Sequence, residues 1–149
     1  AELGGALKNC LAIAAGMADG FGYGDNSKAA LLTRGLNEMV EIGKFYGAEV
    51  QTFMGLSGLG DMIVTCTSQH SRNRYVGEQL AKGRTIEDIV SNMKMVSEGA
   101  ETIKALYEII KINNIKAPIF SALYEVIYKG KPADELYTVF MTRELKSEF

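Results

Sequence analysis

The amino-acid sequence predicts an all-α protein, and three observations lead to this prediction. Apolar residues recur at helical spacing along most of the chain, residues that typically start or end helices separate these stretches, and convincing β-strands are lacking. At 149 residues the chain is long enough to bury a core as one domain. We therefore expect a compact domain of about seven to nine helices over residues 1–149.

The predicted helices follow one another through short turns. The first spans about residues 3–19, and the second starts at an N-cap, Asp25 or Asn26, and ends near Tyr46 with Gly47 at its C-terminus. A short helix over about 59–66 comes next. Capping residues or prolines then begin five further helices, near Ser71, Thr85, Ser97, Pro118 and Pro132.

Composition excludes several functional classes. The net charge is −2 and the basic residues are scattered, so nucleic acid is not an expected partner. No run reaches about 18 apolar residues and no signal peptide is recognisable, so we expect a cytoplasmic protein without a membrane span. Two cysteines and one histidine do not make a metal site. The chain starts with alanine in the middle of a helical pattern, as a fragment would.

Lys8 is the first candidate for chemistry, because it lies on a predicted helix among small and apolar residues. Gly4 and Gly5 each cost a helix about 1 kcal/mol relative to alanine, and such glycines usually let a backbone or a ligand come close. Partial burial favours the neutral amine, so Lys8 is a candidate general acid or base. The alternative is a structural lysine whose ammonium extends to the surface.

Two polar segments could complete a site. Asp61 follows a glycine turn at a predicted helix start, and Thr65 lies one turn later on the same face. Ser71 is a predicted N-cap with Arg72 and Asn73 in the first turn, which places free backbone N–H groups beside a guanidinium, as an anion site requires. Ordinary helix starts are the alternative in both places.

Other polar and aromatic residues give weaker signals. Glu98 either binds a ribose hydroxyl or caps its own helix, and Asp19 lies on the face of Lys8 and is a candidate to pair with it or with a partner domain. His70 has no assigned role. The methionines and tyrosines at helical spacing are interpreted as core rather than as a cofactor site; these are Met93, Met95, Tyr107, Tyr124 and Tyr128.

Five segments together resemble one family. They are ELGGALKN at 2–9, ADGFGYGDNSKA at 18–29, GLGDMIVTCT at 58–67, SRNR at 71–74 and EG at 98–99. In this combination and order they resemble the C-terminal domain of bacterial NAD(P)-dependent glycerol-3-phosphate dehydrogenases, and the likeness extends to about Ser147.

The resemblance implies the helical substrate-binding and catalytic half of a two-domain enzyme that interconverts dihydroxyacetone phosphate and sn-glycerol 3-phosphate for glycerophospholipid synthesis. NAD or NADP would be bound mainly by an N-terminal Rossmann domain outside this chain, so the isolated domain is expected to be inactive. That domain and a small phosphate ester are the implied partners, and the resemblance also allows a homodimer.

The resemblance also implies roles for individual residues. Lys8 would accept the proton in oxidation and donate it in reduction, with Asp61 as the second catalytic residue. The substrate would be bound by Lys8, Asn9, Asp61, Thr65, Ser71, Arg72 and Asn73, and the cofactor by Arg72, Val96 and Glu98. Two alternatives stay open: the helical domain of a related hydroxyacid or phosphogluconate dehydrogenase, and a non-catalytic helical interaction module.

Overall fold

The structure is a computed structural model that describes residues 2–47, 66, 71–91, 93, 98–136 and 138. These ranges contain six helices: α1 (Glu2–Gly20), α2 (Asp25–Phe45), α3 (Arg72–Ala81), α4 (Ile86–Ser91), α5 (Glu98–Ile112) and α6 (Pro118–Tyr128). Residues 134–136 are also helical, and the described ranges hold no strand, which confirms the predicted all-α class. Within these ranges, no helix has both the length and the apolar character needed to cross a membrane.

Helix α1 lies at the centre of the domain and contacts α2, α3, α5 and α6. Every residue from Cys10 to Ala18 is buried, although the segment is rich in alanine and glycine. Small side chains on all faces of a helix allow its neighbours to approach from several directions at once. The core is completed by larger residues on the surrounding helices, among them Leu31, Met39, Ile42, Ile103, Phe120 and Leu123.

Helices α1 and α3 pack backbone against backbone through glycines. A Cβ atom on Gly77 would lie 1.9 Å from the carbonyl oxygen of Ile13, and one on Gly16 would lie 2.0 Å from the carbonyl oxygen of Arg74. Neither position has room for a side chain unless the helices separate. This close contact fixes where the first turn of α3 lies relative to α1.

Most of the predicted helix boundaries are confirmed, and one is wrong. Ser71 Oγ accepts a hydrogen bond from the Arg74 N–H at 3.1 Å, and Thr85 Oγ1 accepts one from the Asp88 N–H at 3.2 Å. The N-cap of α2, however, is Gly24, with extended backbone, rather than Asp25 or Asn26. Asp25 instead lies in the first turn, where the helix dipole favours its carboxylate.

The start of α6 is capped from a distant helix. No local side chain caps it, although Pro118 is in its first turn as predicted. The carboxylate of Glu38 on α2, which is only 4% exposed, accepts hydrogen bonds from the N–H groups of Ile119 at 2.9 and 3.0 Å and of Phe120 at 3.1 Å. A buried carboxylate is stable there because helix N–H groups satisfy it.

The tyrosines that were interpreted as core lie along the junction of α5 and α6 and are half-buried. The rings of Tyr107 and Tyr124 are stacked with centroids 3.9 Å apart, and Tyr128 follows at 5.2 Å from Tyr124. Tyr124 and Tyr128 pack against the core, as does Met93. The core interpretation is therefore confirmed for these three residues in part, since each keeps some exposure.

Candidate functional site

Three helices meet at the predicted site, and Gly99 is the point of contact. Asn73 and Gly99 are the second residues of α3 and α5, and the Gly99 N–H donates to Asn73 Oδ1 at 2.9 Å. A Cβ on Gly99 would lie 2.6 Å from the Asn9 carbonyl oxygen of α1 and 2.9 Å from Asn73 Oδ1. The starts of two helices therefore meet directly beside the turn of α1 that carries Lys8.

Side chains of α1 reinforce this junction. Asn9 Nδ2 donates to Glu98 Oε2 at 3.3 Å, and the Cys10 thiol donates to the Gly99 carbonyl oxygen at 3.6 Å. Burial raises the pKa of the Cys10 thiol to about 12, so this group stays protonated and can keep donating at neutral pH. Lys8 is half-buried beside them. The fold thus brings Asn9, the neighbour of Lys8 in the chain, together with Glu98.

The start of α3 is the better of the two helix starts for an anion. It has no acidic residue in its first turn, whereas the first turn of α5 contains Glu98 and Glu101. Ser71 caps the helix as an acceptor and still has its own hydroxyl proton to donate. Arg72 is exposed in the first turn. The helix dipole, backbone N–H groups and a guanidinium at one place suit a phosphate group.

The structure corrects the expected partner of Asp19. Its carboxylate binds the Lys28 ammonium at 3.0 and 2.9 Å and Nε of Arg74 at 2.8 Å, and Arg74 also pairs with Glu78. Lys8 was the expected partner within the chain, but eleven residues along a helix span about 16 Å, beyond the reach of one side chain to another. Asp19 therefore links three helices instead of adjusting the charge at Lys8.

Cys66 is the one residue of the GLGDMIVTCT segment that the structure describes. Its thiol is fully buried, and burial raises its pKa to about 12 against the opposing effect of the positive charges of Lys28 and Lys8. The predicted site residues Asp61, Thr65 and Val96 lie outside the described residues, as does His70, so their roles stay predictions.

Two features of the site were not identified from the sequence. Gly99 had no assigned role, and its need for a bare Cα became evident only from the crowding by Asn9 and Asn73. The ion network around Asp19 had a detectable signal, because an acid in the last turn of α1, where no basic residue accompanies it, opposes the helix dipole. Such a charge requires a partner from elsewhere in the fold.

Within the described ranges, no group of three or more histidine, cysteine or acidic side chains lies close enough to hold a metal ion. Arg72 and Glu98, two of the predicted cofactor contacts, are both exposed at the helix starts. Each can therefore reach a ligand that binds against this end of the domain.

Comparisons with known proteins agree on one family. The model of the NAD-dependent glycerol-3-phosphate dehydrogenase C-terminus matches residues 1–138. Proteins named glycerol-3-phosphate dehydrogenase [NAD(P)+] from Chlorobium phaeobacteroides (strain BS1) and Staphylococcus carnosus (strain TM300) are each 51% identical over 147 residues, which cover 99% of this chain and 44% of each relative. The chain thus spans less than half the length of these relatives.

Solved structures give the same result. The crystal structure of glycerol-3-phosphate dehydrogenase from Coxiella burnetii is similar with a TM-score of 0.86 and 33% identity, over 92% of this chain and 42% of that one. A structure from Dunaliella salina, described as DsGPDH, has a TM-score of 0.81 and 30% identity, over 93% of this chain and 26% of that one. The chain belongs to the family of NAD-dependent glycerol-3-phosphate dehydrogenase C-terminal domains.

Proposed function

We propose that this chain is the substrate-binding and proton-transfer half of an enzyme that interconverts dihydroxyacetone phosphate and sn-glycerol 3-phosphate with NAD(P)H. The observation that carries the proposal is the junction of the α3 and α5 starts beside Lys8, in a chain of this family. The glycerol 3-phosphate would serve glycerophospholipid synthesis. A cytoplasmic location and a homodimer belong to the same proposal.

The phosphate of the substrate binds at the start of α3. The Ser71 hydroxyl, the Arg72 guanidinium and the backbone N–H groups of the first turn are donors of the kind from which phosphate oxygens accept hydrogen bonds. The Asn73 side-chain oxygen is already bonded to Gly99, so this residue contributes through its amide group or its backbone. Lack of an acid in this turn avoids repulsion of the dianionic ligand.

Lys8 transfers the proton. In reduction its ammonium donates a proton to the carbonyl oxygen at C2 as that oxygen gains negative charge, and in oxidation the neutral amine accepts the proton from the C2 hydroxyl. Its half-buried position beside Asn9 limits access of water to the reacting carbonyl. The cofactor, when it is bound, supplies or accepts the hydride at C2.

Cofactor contacts from this chain are Arg72, Glu98 and Val96. Arg72 and Glu98 are exposed at the two helix starts, where a molecule held by a Rossmann domain would approach. Asn9 orients the Glu98 carboxylate through its amide, at 3.3 Å. The larger part of the NAD(P) site belongs to the N-terminal domain, so the 149-residue chain by itself should not oxidise NADH.

The first experiment is an NMR titration of this chain with sn-glycerol 3-phosphate, with glycerol and lactate as controls. Amide signals of Ser71, Arg72 and Asn73 should shift with the phosphate ester and stay unchanged with the controls, because the site recognises phosphate. Equal shifts with lactate would favour a hydroxyacid dehydrogenase instead. Turnover of dihydroxyacetone phosphate by the isolated chain would contradict the proposal that the N-terminal domain is required to bind NAD(P).

The decisive test uses the chain joined to its N-terminal cofactor-binding domain, with Lys8→Ala. Removal of a general acid should lower kcat by about 100-fold or more. Lys82→Ala is the matched control, since Lys82 is exposed at the other end of α3 and should leave kcat unchanged. A loss of only a few-fold for Lys8→Ala would mean that another group transfers the proton.

A further inference from the structure

Asp19 and Arg74 are each placed where their own helix disfavours their charge. Asp19 is in the last turn of α1, which has no basic residue, and Arg74 is in the first turn of α3, which has no acidic residue. A helix dipole repels a carboxylate at its C-terminus and a cation at its N-terminus. The two side chains compensate each other, because Asp19 Oδ2 lies 2.8 Å from Arg74 Nε.

This ion network is better shielded from water than a surface pair. The side chains of Lys28, Asp19 and Arg74 are 15%, 21% and 16% exposed. Arg84 and Asp88 form a comparable pair through Nε at 2.9 Å, but the Asp88 side chain is 56% exposed. Ion pairs shielded from solvent interact more strongly, and those on the surface contribute little. The Asp19 network is therefore able to fix the position of a helix.

The network fixes the first turn of α3, which forms the proposed phosphate site. Arg74 follows Arg72 and Asn73 directly in the first turn of α3, and its N–H group is the one that Ser71 caps. Its carbonyl oxygen faces the bare Cα of Gly16 on α1, so backbone contact and side-chain pairing hold the same residue. A shift of Arg74 would move Ser71, Arg72 and Asn73 together.

We propose that Asp19 is a positioning residue for the phosphate of the substrate, which it never contacts. By binding Lys28 of α2 and Arg74 of α3, Asp19 holds the first turn of α3 at a set distance from Lys8, which lies with Asp19 on α1. The inference rests on the proposed function for the identity of the ligand. It also distinguishes the two arginines of the SRNR segment, since Arg72 is exposed while Arg74 pairs with Asp19 and anchors the turn.

The test is Asp19→Asn in the chain joined to its cofactor domain. The variant keeps the size of the side chain and loses its charge, so the turn of α3 loses its ion pair with α1 and keeps only the backbone contact at Gly16. The KM for dihydroxyacetone phosphate and the inhibition constant of inorganic phosphate should both rise by about tenfold, because small displacements of binding groups cost affinity steeply. The KM for NADH should change by less than about threefold, because Arg72 is the single proposed cofactor contact in this turn and the larger part of the NAD(P) site belongs to the N-terminal domain.

Two further variants complete the design. Asp19→Glu keeps the carboxylate and should restore the KM for dihydroxyacetone phosphate to within about threefold of the parent value. Asp88→Asn breaks the Arg84 pair and should leave both constants unchanged. If Asp19→Asn does not fold, Arg74→Lys replaces it, since lysine keeps the cation but loses the planar fork that contacts two acids.

A purely structural role for Asp19 predicts a different result. A lower melting temperature with unchanged KM and phosphate inhibition would overturn the proposal, as would equal rises for dihydroxyacetone phosphate and NADH. The proposed function can fail separately. If the joined parent protein does not reduce dihydroxyacetone phosphate, inorganic phosphate titrated by NMR into this chain still tests the positioning, and unchanged affinity in Asp19→Asn would overturn it.

Discussion

The two ends of α3 differ in how far away in the sequence the hydrogen-bonding partners of their polar side chains lie. At the N-terminal end, Arg74 binds Asp19, 55 residues away along the chain, and Asn73 binds Gly99, 26 residues away. At the C-terminal end, Arg84 bonds Gln79 and Asp88, five and four residues away. Both ends use an arginine and short hydrogen bonds, so the chemistry is the same and only the sequence separation differs.

This difference distinguishes the N-terminal end of α3, where the proposed ligand site lies, from the C-terminal end, which is an ordinary helix terminus. Local bonds around Arg84 end one helix and begin the next, which short-range chemistry alone can do. Bonds from Asn73 and Arg74 instead fix one helix relative to two others, and this is what a ligand site built from several elements requires. Changes at the N-terminal end should therefore alter ligand binding, and changes at the C-terminal end should alter stability alone.

The largest effect is expected from Gly77→Ala. The new Cβ would lie 1.9 Å from the Ile13 carbonyl oxygen and 2.8 Å from the Met17 nitrogen, and backbone atoms cannot move aside as a side chain does. We expect a loss of about 3 kcal/mol in unfolding free energy, at the upper end of the usual range for overpacking, and weaker phosphate binding as α3 is displaced. Urea denaturation and phosphate titration measure the two effects.

Gly83→Ala is the matched control at the other end. Gly83 has φ of +90° and open space around its Cα, so alanine would be strained but would displace nothing. We expect a loss of about 1–2 kcal/mol with unchanged phosphate affinity. A loss of phosphate affinity in Gly83→Ala equal to that in Gly77→Ala would remove the distinction between the two ends.

A smaller effect is expected from the two capping hydroxyls. Ser71→Ala and Thr85→Ala each remove one N-cap hydrogen bond, so each should lower the unfolding free energy by about 1 kcal/mol. Only Ser71→Ala should also weaken binding of sn-glycerol 3-phosphate, because its hydroxyl faces the proposed phosphate. Calorimetric titration of both variants compares them, and equal affinities would show that Ser71 only caps the helix.

The smallest effect at neutral pH concerns Cys10, which bonds Gly99 at the site. Burial raises its pKa from 9.0 to about 12, so the thiol is protonated in both the folded and the unfolded state below pH 9. Above pH 9 only the unfolded state loses the proton, and stability should fall as pH rises toward 12. Cys10→Ala should reduce this decline between pH 9 and 11, measured as the urea midpoint.

The second buried thiol, Cys66, should contribute to the same loss of stability at alkaline pH. Its thiol is also buried with a pKa of about 12, so Cys66→Ala should reduce the alkaline decline in the same direction. The double variant should reduce it further than either single change, since the two thiols ionise on separate helical segments. A decline unchanged by either substitution would assign it to other groups, such as Tyr128, whose pKa burial also raises to about 12.

Much of this molecule could be predicted from its sequence because the relevant signals are local. Helical periodicity, the caps at Ser71 and Thr85 and the proline at α6 each act within a few residues. The cap and first turn that form the proposed anion site at the start of α3 were predictable for the same reason, since they are contiguous in the chain. Lys8 was identified by its small neighbours and by the family resemblance of its segment.

What the sequence could not predict depends on the packing of distant helices. Asp19 pairs with Arg74 rather than Lys8, Glu38 caps α6 across 81 residues, and the Gly99 N–H donates to the side-chain oxygen of Asn73. Each of these contacts needs a particular packing of two helices, and for Asp19 and Arg74 that packing is set by backbone contact at Gly16 and Gly77. Local chemistry therefore determined which helices form and which residues carry charge, while close packing of α1 and α3 decided which charges meet.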